Sequence, residues 1–327
     1  MGDRLAAVTG ATGFLGRHIV SALASAGWRV RILARQGSKD RVPDGKPLET
    51  IIGDIGDRRA VAALIDGADV VVHAAGLIKA SNLAAFRSVN VGGTTNLVRA
   101  LGDCKAAKRV LLVSSMVARE PQLSNYAATK REGEEALKEL RVHDWTVVRP
   151  CAVYGPWDKE TLMLFQAAVR RILPLLGPRR GRVALIHAED AAKAIASLCD
   201  QGPSGRIFEL TDGRFGGYTW PEIVIAAETA MGAKVITVPL PGNVVRAAAA
   251  ANMLVARVAG RVPIFTLGKA REILHADWGS SAGRLPPPDI WQPKIDLSTG
   301  FRDTVSWYRD RQWLPAVTQA QPGFCQQ

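Results

Sequence analysis

Short apolar runs at residues 5–8, 29–34, 49–52, 69–73, 109–113 and 145–148 alternate with stretches of helical apolar period through the first half of the chain. Runs of this length, rich in Val, Ile and Leu, predict strands buried on both faces, and the intervening period predicts helices over 14–26, 57–65, around 84–101 and over 126–140. Ser124 or Asn125 is placed to cap the last of these, with Glu132, Glu134 and Glu135 in its early turns. Strand and helix in strict alternation is the pattern of βαβ units. The expected fold is therefore α/β, a doubly wound parallel sheet of Rossmann type.

Beyond Pro150 the alternation fades into proline-punctuated helices and one further strand at 206–211. The pattern divides the chain into a dinucleotide-binding domain over 1–155 and a smaller, mostly helical substrate lobe over 156–314, interleaved with the last strands of the sheet. A tail over 315–327 reads as disordered. The longest nearly unbroken apolar stretch, 247–256, is too short to cross a bilayer and is bracketed by Arg246 and Arg257. A helical wheel puts Asn243, Arg246, Arg257 and Arg261 on one side and Val244, Ala248, Ala251, Val255 and Val258 on the other. Two readings stand: an interfacial helix, or a lid whose alanine face packs on the core.

The turn after the first strand reads Thr9-Gly10-Ala11-Thr12-Gly13-Phe14-Leu15-Gly16. A strand that turns through glycines into a helix leaves the first helical N–H groups unpaired, with the positive dipole end facing the turn, which is a phosphate site. Gly10 permits the tight turn, Gly13 brings bare backbone to a pyrophosphate, and Gly16 lets helix and strand pack closely. The G-x-x-G-x-x-G spacing is one residue longer in its first gap than the dinucleotide fingerprint.

Composition narrows the class. With 327 residues and 47% hydrophobic content the chain can bury a sizeable core. The beginning, Met1 to Arg4, carries no charged-then-apolar leader, which points to a cytoplasmic protein. Cys104, Cys151, Cys199 and Cys325 show no metal-binding or redox spacing, and no metal site is expected. The net charge of +12 is unevenly placed. No acidic residue lies between Glu160 and Glu189, where Arg170, Arg171, Arg179, Arg180 and Arg182 accumulate, and none between Glu228 and Glu272. Basic, apolar surface suits an anionic substrate or an anionic membrane face. With 6% aromatics and no recognisable module, nucleic acid is not an expected partner.

The strand ends are where an open parallel sheet binds its ligand. Arg35 ends the second strand where an NAD-specific site places an acid, and a guanidinium there favours a 2′-phosphate, so NADP(H) is preferred over NAD; the other reading is a solvated arginine in a basic segment. Asp54 either accepts from the adenine amino group or caps the helix near Asp57. Ala74, Ala75 and Gly76 are small enough for a cofactor to lie against backbone.

The chemistry rests on Tyr126-x-x-x-Lys130, downstream of Ser114-Ser115 at a strand end. Residues four apart share a helical face, so the Lys130 ammonium is expected to lower the Tyr126 phenol pKa. Tyr126 then trades a proton, Ser115 binds the substrate oxygen and Lys130 also holds the nicotinamide ribose.

These segments together, with Gly53-Asp54-Ile55, His73-Ala74-Ala75-Gly76 and Arg149-Pro150 followed by Val153-Tyr154-Gly155-Pro156, resemble the extended short-chain dehydrogenase/reductase family over about residues 4–200. The resemblance implies a Ser115–Tyr126–Lys130 triad. It also implies cofactor contacts from Gly10, Thr12, Gly13, Phe14, Leu15, Gly16, Arg35, Asp54, Ile55, Ala74, Ala75, Gly76, Lys130, Pro150 and Val153, and a homodimer built on helix pairs near 90–101 and 126–140. Two departures from the epimerase members favour a reductase: Ser115 is followed by Met116-Val117-Ala118-Arg119-Glu120, and the second strand looks like that of dihydroflavonol reductases. Members near this pattern, including 3β-hydroxysteroid dehydrogenases and ketolipid or ceramide reductases, act on apolar substrates.

The expected activity is NADP(H)-dependent reduction of a ketone, or oxidation of a secondary alcohol, on a hydrophobic lipid-like molecule, with peripheral contact to an anionic membrane. The alternatives are a nucleotide-sugar epimerase or dehydratase using Arg170, Arg179 or Arg182, and a non-catalytic scaffold resembling the accessory subunit of respiratory complex I.

Overall fold

The computed structural model describes residues 4–42, 48–103, 109–139, 144–178 and 180–315. Cys104, Arg179, Leu140, Cys325 and the tail from 316 lie outside the described residues.

Seven parallel strands form the central sheet, in the order Arg206–Leu210, Trp145–Pro150, Arg109–Val113, Val70–His73, Leu5–Thr9, Arg29–Ala34 and Leu48–Ile52. Strand order reverses between Leu5–Thr9 and Val70–His73, so the crevice expected of a doubly wound sheet opens above those two. Side-chain alternation feeds two cores. Ala6 and Val8 pack with Ile19 and Leu23 of helix Phe14–Ser25 and with Ile195 and Leu198 of helix Ala188–Gln201. Leu5 and Ala7 face the other way, toward Val61 and Leu64 of helix Arg58–Ile65 and Leu97 of helix Gly92–Asp103. The edge strand and a covering helix thus come from the second half of the chain.

The single helical stretch expected around 84–101 is two helices, Leu83–Asn90 and Gly92–Asp103. Gly92 and Gly93 weaken the helix at the break, and a Cβ on Gly93 would stand 2.9 Å from the Ile55 side chain. The Asn125–Glu139 helix follows the loop after Arg109–Val113 and packs Leu137 against Val110, Leu112 and Val147.

The second lobe surrounds an aromatic core of Tyr154, Phe165, Phe301 and Tyr308. Besides helices it contains small sheets that the apolar pattern does not reveal: Ala152–Tyr154 with Leu185–His187, Ile172–Leu175 with Ile236–Pro239, and Arg182–Val183 between Tyr218–Thr219 and Asp277–Trp278. Strands of two to four residues are shorter than any periodicity can mark.

The apolar stretch at 247–256 lies in helix Gly242–Val258. Its packed face is Val245 and Ala249, set against Leu240, Phe265, Leu267 and Leu274, with Ala256 buried farther along the helix. Val244, Ala248, Ala251, Val255 and Val258, the side expected to pack in a lid, are exposed. The helix leans on its neighbour Leu267–Leu274 through a different stripe, fixed by Asn252 Oδ1 accepting the Phe265 amide at 3.0 Å.

Candidate active site

The glycine turn is wedged against the end of strand Val70–His73. Gly10 has φ +73°, and a Cβ there would fall 2.6 Å from the Ala74 carbonyl and the Ala75 amide nitrogen. A Cβ on Gly16 would collide with the Gly10 carbonyl oxygen. Gly13 caps helix Phe14–Ser25 without any side-chain acceptor, so the helix's first amides meet an anion with no internal competitor. Thr9 fixes the floor: its hydroxyl takes the Ala75 amide at 3.1 Å and bonds His73 Nδ1 at 2.7 Å, while His73 Nε2 meets Thr94 Oγ1 at 3.1 Å. Burial holds His73 far below the ordinary imidazole range, at about 3, so it stays neutral.

Arg31 and Arg35 lie on one strand segment and do different things. Arg31 pairs with Glu49 at 2.7 Å and donates to the carbonyls of Leu64 and Asp66 at a helix end. Arg35 is exposed beyond the strand and has no ion-pair partner among the described residues. Asp57, rather than Asp54, caps the next helix, accepting from Arg59 and Ala60 amides. Asp54 is exposed and uses only Oδ1, on the Gly56 amide at 3.0 Å. Ile55 turns its side chain into the core. Pro150 is buried at its strand's end, and Val153 packs half-buried against the main core; Phe14 and Leu15 are half-buried in the first helical turn.

Together these features fit a dinucleotide: uncapped amides for a pyrophosphate, a backbone floor at Ala74 and Ala75 that a larger side chain would fill, and an exposed guanidinium at the second strand's end.

At the neighbouring strand end the structure brings Ser115, Tyr126 and Lys130 together. Ser115 lies beside the Tyr126 hydroxyl, where its side chain favours the phenolate, and the Tyr126 ring lies 6.2 Å from that of Phe86. Lys130 Nζ donates to the Val113 carbonyl at 2.8 Å, and an added Cβ on Gly76 would stand 3.7 Å from that ammonium. The electrostatics differ from the expectation of an ammonium-lowered phenol. Burial pushes Tyr126 up to about 12, opposed by the Ser115 side chain and reinforced by the charge of Glu272. Burial also lowers Lys130 to about 8, against the pull of Glu134. Desolvation dominates both groups, and neither owes its shift to the other.

Several contributors escape sequence reasoning. Asn90 turns inward at the helix break, accepting the Leu77 amide at 2.7 Å and donating to the Leu77 carbonyl and Thr129 Oγ1, both at 3.1 Å. It ties the loop after Gly76 to the helix carrying Lys130. One turn beyond Lys130, Glu134 is fully buried and takes both Nε and Nη2 of Arg149, at 2.8 and 2.6 Å, together with the Ser114 hydroxyl. The glycine after Thr129-Lys130-Arg131-Glu132, Gly133, is the one local signal: a Cβ there would lie 2.8 Å from the Asn90 carbonyl. Arg119, in the segment that departs from epimerases, donates to the carbonyls of Gly279 and Asp277 and so pins that segment to the second lobe.

A cavity of about 700 Å³ lined by Arg119, Arg149, Glu209, Asp277 and Arg284 lies to one side, and none of Ser115, Tyr126 or Lys130 borders it. Its arginines are matched by Glu209 and Glu134. Arg170 and Arg182 are exposed, and Cys151 and Cys199 are buried thiols. No helix among the described residues is long and apolar enough to cross a membrane.

Residues 6–211 match the NAD dependent epimerase/dehydratase family. The chain is 45% identical over 310 residues to a protein named ceramide reductase from Caulobacter vibrioides (strain NA1000 / CB15N), covering 94% of this chain and 96% of that one. Among solved structures, that of gox2253 superposes with a TM-score of 0.72 at 21% identity, covering 95% of this chain and 99% of the other. MoeE5 in complex with UDP-glucuronic acid and NAD gives a TM-score of 0.68 at 20% identity, over 95% and 100% of the two chains. With a relative this similar along nearly its whole length, and the family match spanning every strand of the sheet, the chain belongs to the NAD dependent epimerase/dehydratase family, among the extended short-chain dehydrogenase/reductases, and is an NAD(P)-dependent enzyme.

Proposed function

We propose that this protein reduces a ketone on a hydrophobic, lipid-like substrate with NADP(H), Tyr126 giving the proton. The observation that carries the reading is the convergence of Ser115, Tyr126 and Lys130 on one strand end beside the backbone floor at Ala75 and Gly76. The bound dinucleotide supplies the hydride. Ser115, beside the Tyr126 hydroxyl, orients the carbonyl oxygen. Tyr126, held protonated by burial, donates its hydrogen to that oxygen as negative charge develops there. Lys130, fixed by the Val113 carbonyl and near neutrality at about pH 8, is placed to return a proton to the phenol.

Preference for NADP(H) is supported by the exposed, unpaired Arg35 where a carboxylate would read NAD. A lipid-like substrate is supported by the 45% identical relative, whose name is ceramide reductase, and by the apolar second lobe. The nucleotide-sugar reading has weaker support: the UDP-sugar complexes share only the fold at 20% identity. The test is reduction of ketosphingolipid, ketosteroid and nucleotide-sugar panels with NADPH against NADH, followed by loss of reduced-nicotinamide absorbance. Turnover of a lipid ketone with NADPH is expected. Turnover of nucleotide sugars alone, or a tightly held NAD that does not exchange, overturns the reading.

A further inference from the structure

The second lobe carries an apolar surface that the reductase reading does not use. Helix Gly242–Val258 rests on helix Leu267–Leu274 through one stripe, and a second arc of the helix, carrying Val244, Ala248, Ala251, Val255 and Val258, is apolar and exposed. Leu254, Val255 and Val258 are 64%, 66% and 83% exposed, and Val244 is exposed one end of the helix away. Past the helix, Val262 and Ile264 continue the exposed apolar surface through the turn. Surface helices of soluble proteins spread charge over their exposed side; here it is confined to Arg246 and Arg257 along one edge. An apolar patch of this kind marks a contact with a partner or a membrane.

Charge identifies the partner. Arg246 and Arg257 border the apolar arc along one edge and Arg261 sits in the turn; all three are exposed and none has an ion-pair partner among the described residues. No acidic residue occurs from 229 to 271, while Lys234 and Lys269 are paired to Glu228 and Glu272 outside that span. A second copy of the chain would set these arginines against their own kind. An interface of anionic headgroups over acyl chains satisfies both halves of the surface at once.

We propose that helix Gly242–Val258 and the turn through Ile264 form a docking surface for an anionic phospholipid bilayer. Leu254, Val255 and Val258 enter the acyl boundary, and Arg246, Arg257 and Arg261 meet the headgroups. The surface is mechanically close to the chemistry. Helix Leu267–Leu274, on which the docking helix rests, places Glu272 on Ser124 at the start of the Tyr126 helix. Docking at a bilayer extends the lipid-substrate reading, and because vesicle binding is scored without turnover the two fail separately.

The experiment is flotation of the full chain with vesicles of phosphatidylcholine alone and of phosphatidylcholine with phosphatidylglycerol. Binding only to the anionic vesicles, weakened by salt, is expected. Leu254→Glu with Val258→Glu should reduce it more than tenfold, and Arg257→Gln and Arg261→Gln about fivefold each. These side chains are exposed, so circular dichroism and NADPH binding of the variants should match the parent. Absence of binding to anionic vesicles overturns the proposal, as does equal binding by the Leu254/Val258 variant. A parent dimer that this variant converts to monomer in sedimentation also overturns it, in favour of a second copy.

Discussion

Glu272, on the second lobe, accepts the hydroxyl hydrogen of Ser124, two residues before Tyr126. The same Ser124 oxygen accepts the Ala127 amide at 2.9 Å, so the cap of the Tyr126 helix and the contact between lobes share one atom. The approach is close: a Cβ on Gly268 would stand 2.8 Å from that of Ser124. Glu272 is buried, with Lys269 at 3.2 Å, and its charge adds to the burial that holds the Tyr126 phenol at about 12. A residue of the second lobe thus reaches into the acidity of Tyr126.

Glu272→Gln tests that reach. Removing a negative charge near Tyr126 makes phenolate less costly, so the Tyr126 pKa falls. The alkaline limb of kcat/KM for ketone reduction, where the phenol must be protonated, should move to lower pH, while the amide still accepts from Ser124 and keeps the cap. An unchanged pH profile would show that the carboxylate is felt only as a structural contact.

Tyr126→Phe removes the proton and leaves the ring against Phe86. Positioned general acids contribute about 10²–10⁴-fold, and ketone turnover should drop by that factor. NADPH binding, read by fluorescence, should be unchanged. Persistence of cellular function in this variant would instead favour the non-catalytic scaffold.

Lys130 links the site to stability. Its folded pKa, about 8, lies below the model-peptide value of 10.5, so between those limits the unfolded chain binds more protons than the folded one. Stability therefore rises with pH from about 8 toward 10.5, and the full cost of burying the ammonium is present below 8. Tyr126 acts in the opposite sense only from about 10 to 12. Urea denaturation of the parent between pH 7.5 and 10, against Lys130→Met, should show this slope in the parent and its loss in the variant; the variant should also lose ketone turnover.

The parallel core was legible because each strand is a run of branched apolar residues, and the candidate site residues could be picked out because they lie just past the ends of such runs: Gly10, Arg35 and Ser115. What stayed hidden is tertiary. Glu272 and Ser124 are 148 residues apart, and Asn90 acts through a helix break at Gly92 and Gly93, where Ile55 leaves no room for a side chain on Gly93. The phenol's acidity was misjudged for the same reason. The i, i+4 spacing of Tyr126 and Lys130 is local, whereas the burial that dominates both groups comes from elements distant in sequence. Helix Gly242–Val258 shows a further limit: its alanines make two stripes equally able to pack, and only the position of Leu267–Leu274 decides between them.

Under the proposed NADP(H) reading, Arg35 is the residue that would read the 2′-phosphate. A charge-assisted hydrogen bond to a phosphate contributes about 1.5–3 kcal/mol, so Arg35→Ser should raise the KM for NADPH about 10- to 100-fold. The KM for NADH, which lacks the 2′-phosphate, should stay where it is. Because Arg31 holds the strand through Glu49 and the helix-end carbonyls, melting temperature should not change in the Arg35 variant. An equal loss with both cofactors would place Arg35 away from the adenosine ribose.

The Glu134–Arg149 pair supports Lys130 from behind, and its removal separates support from chemistry. Both partners are buried, and the carboxylate is bonded to two guanidinium nitrogens and the Ser114 hydroxyl, so every charge in the pair is satisfied internally. Glu134→Leu strands the Arg149 guanidinium and should cost about 3–5 kcal/mol. Glu134→Leu with Arg149→Met removes both charges and should recover most of that loss, since a buried pair replaced by apolar groups of similar size is often neutral. Activity should not recover in step. Glu134 is the charge that opposes the fall of the Lys130 pKa, so without it the ammonium is less stable and the double variant should lose the charged lysine at lower pH. Thermal melts that recover while the pH profile of kcat/KM stays displaced would assign the pair to proton handling as well as to packing; recovery of both together would leave it a purely structural element.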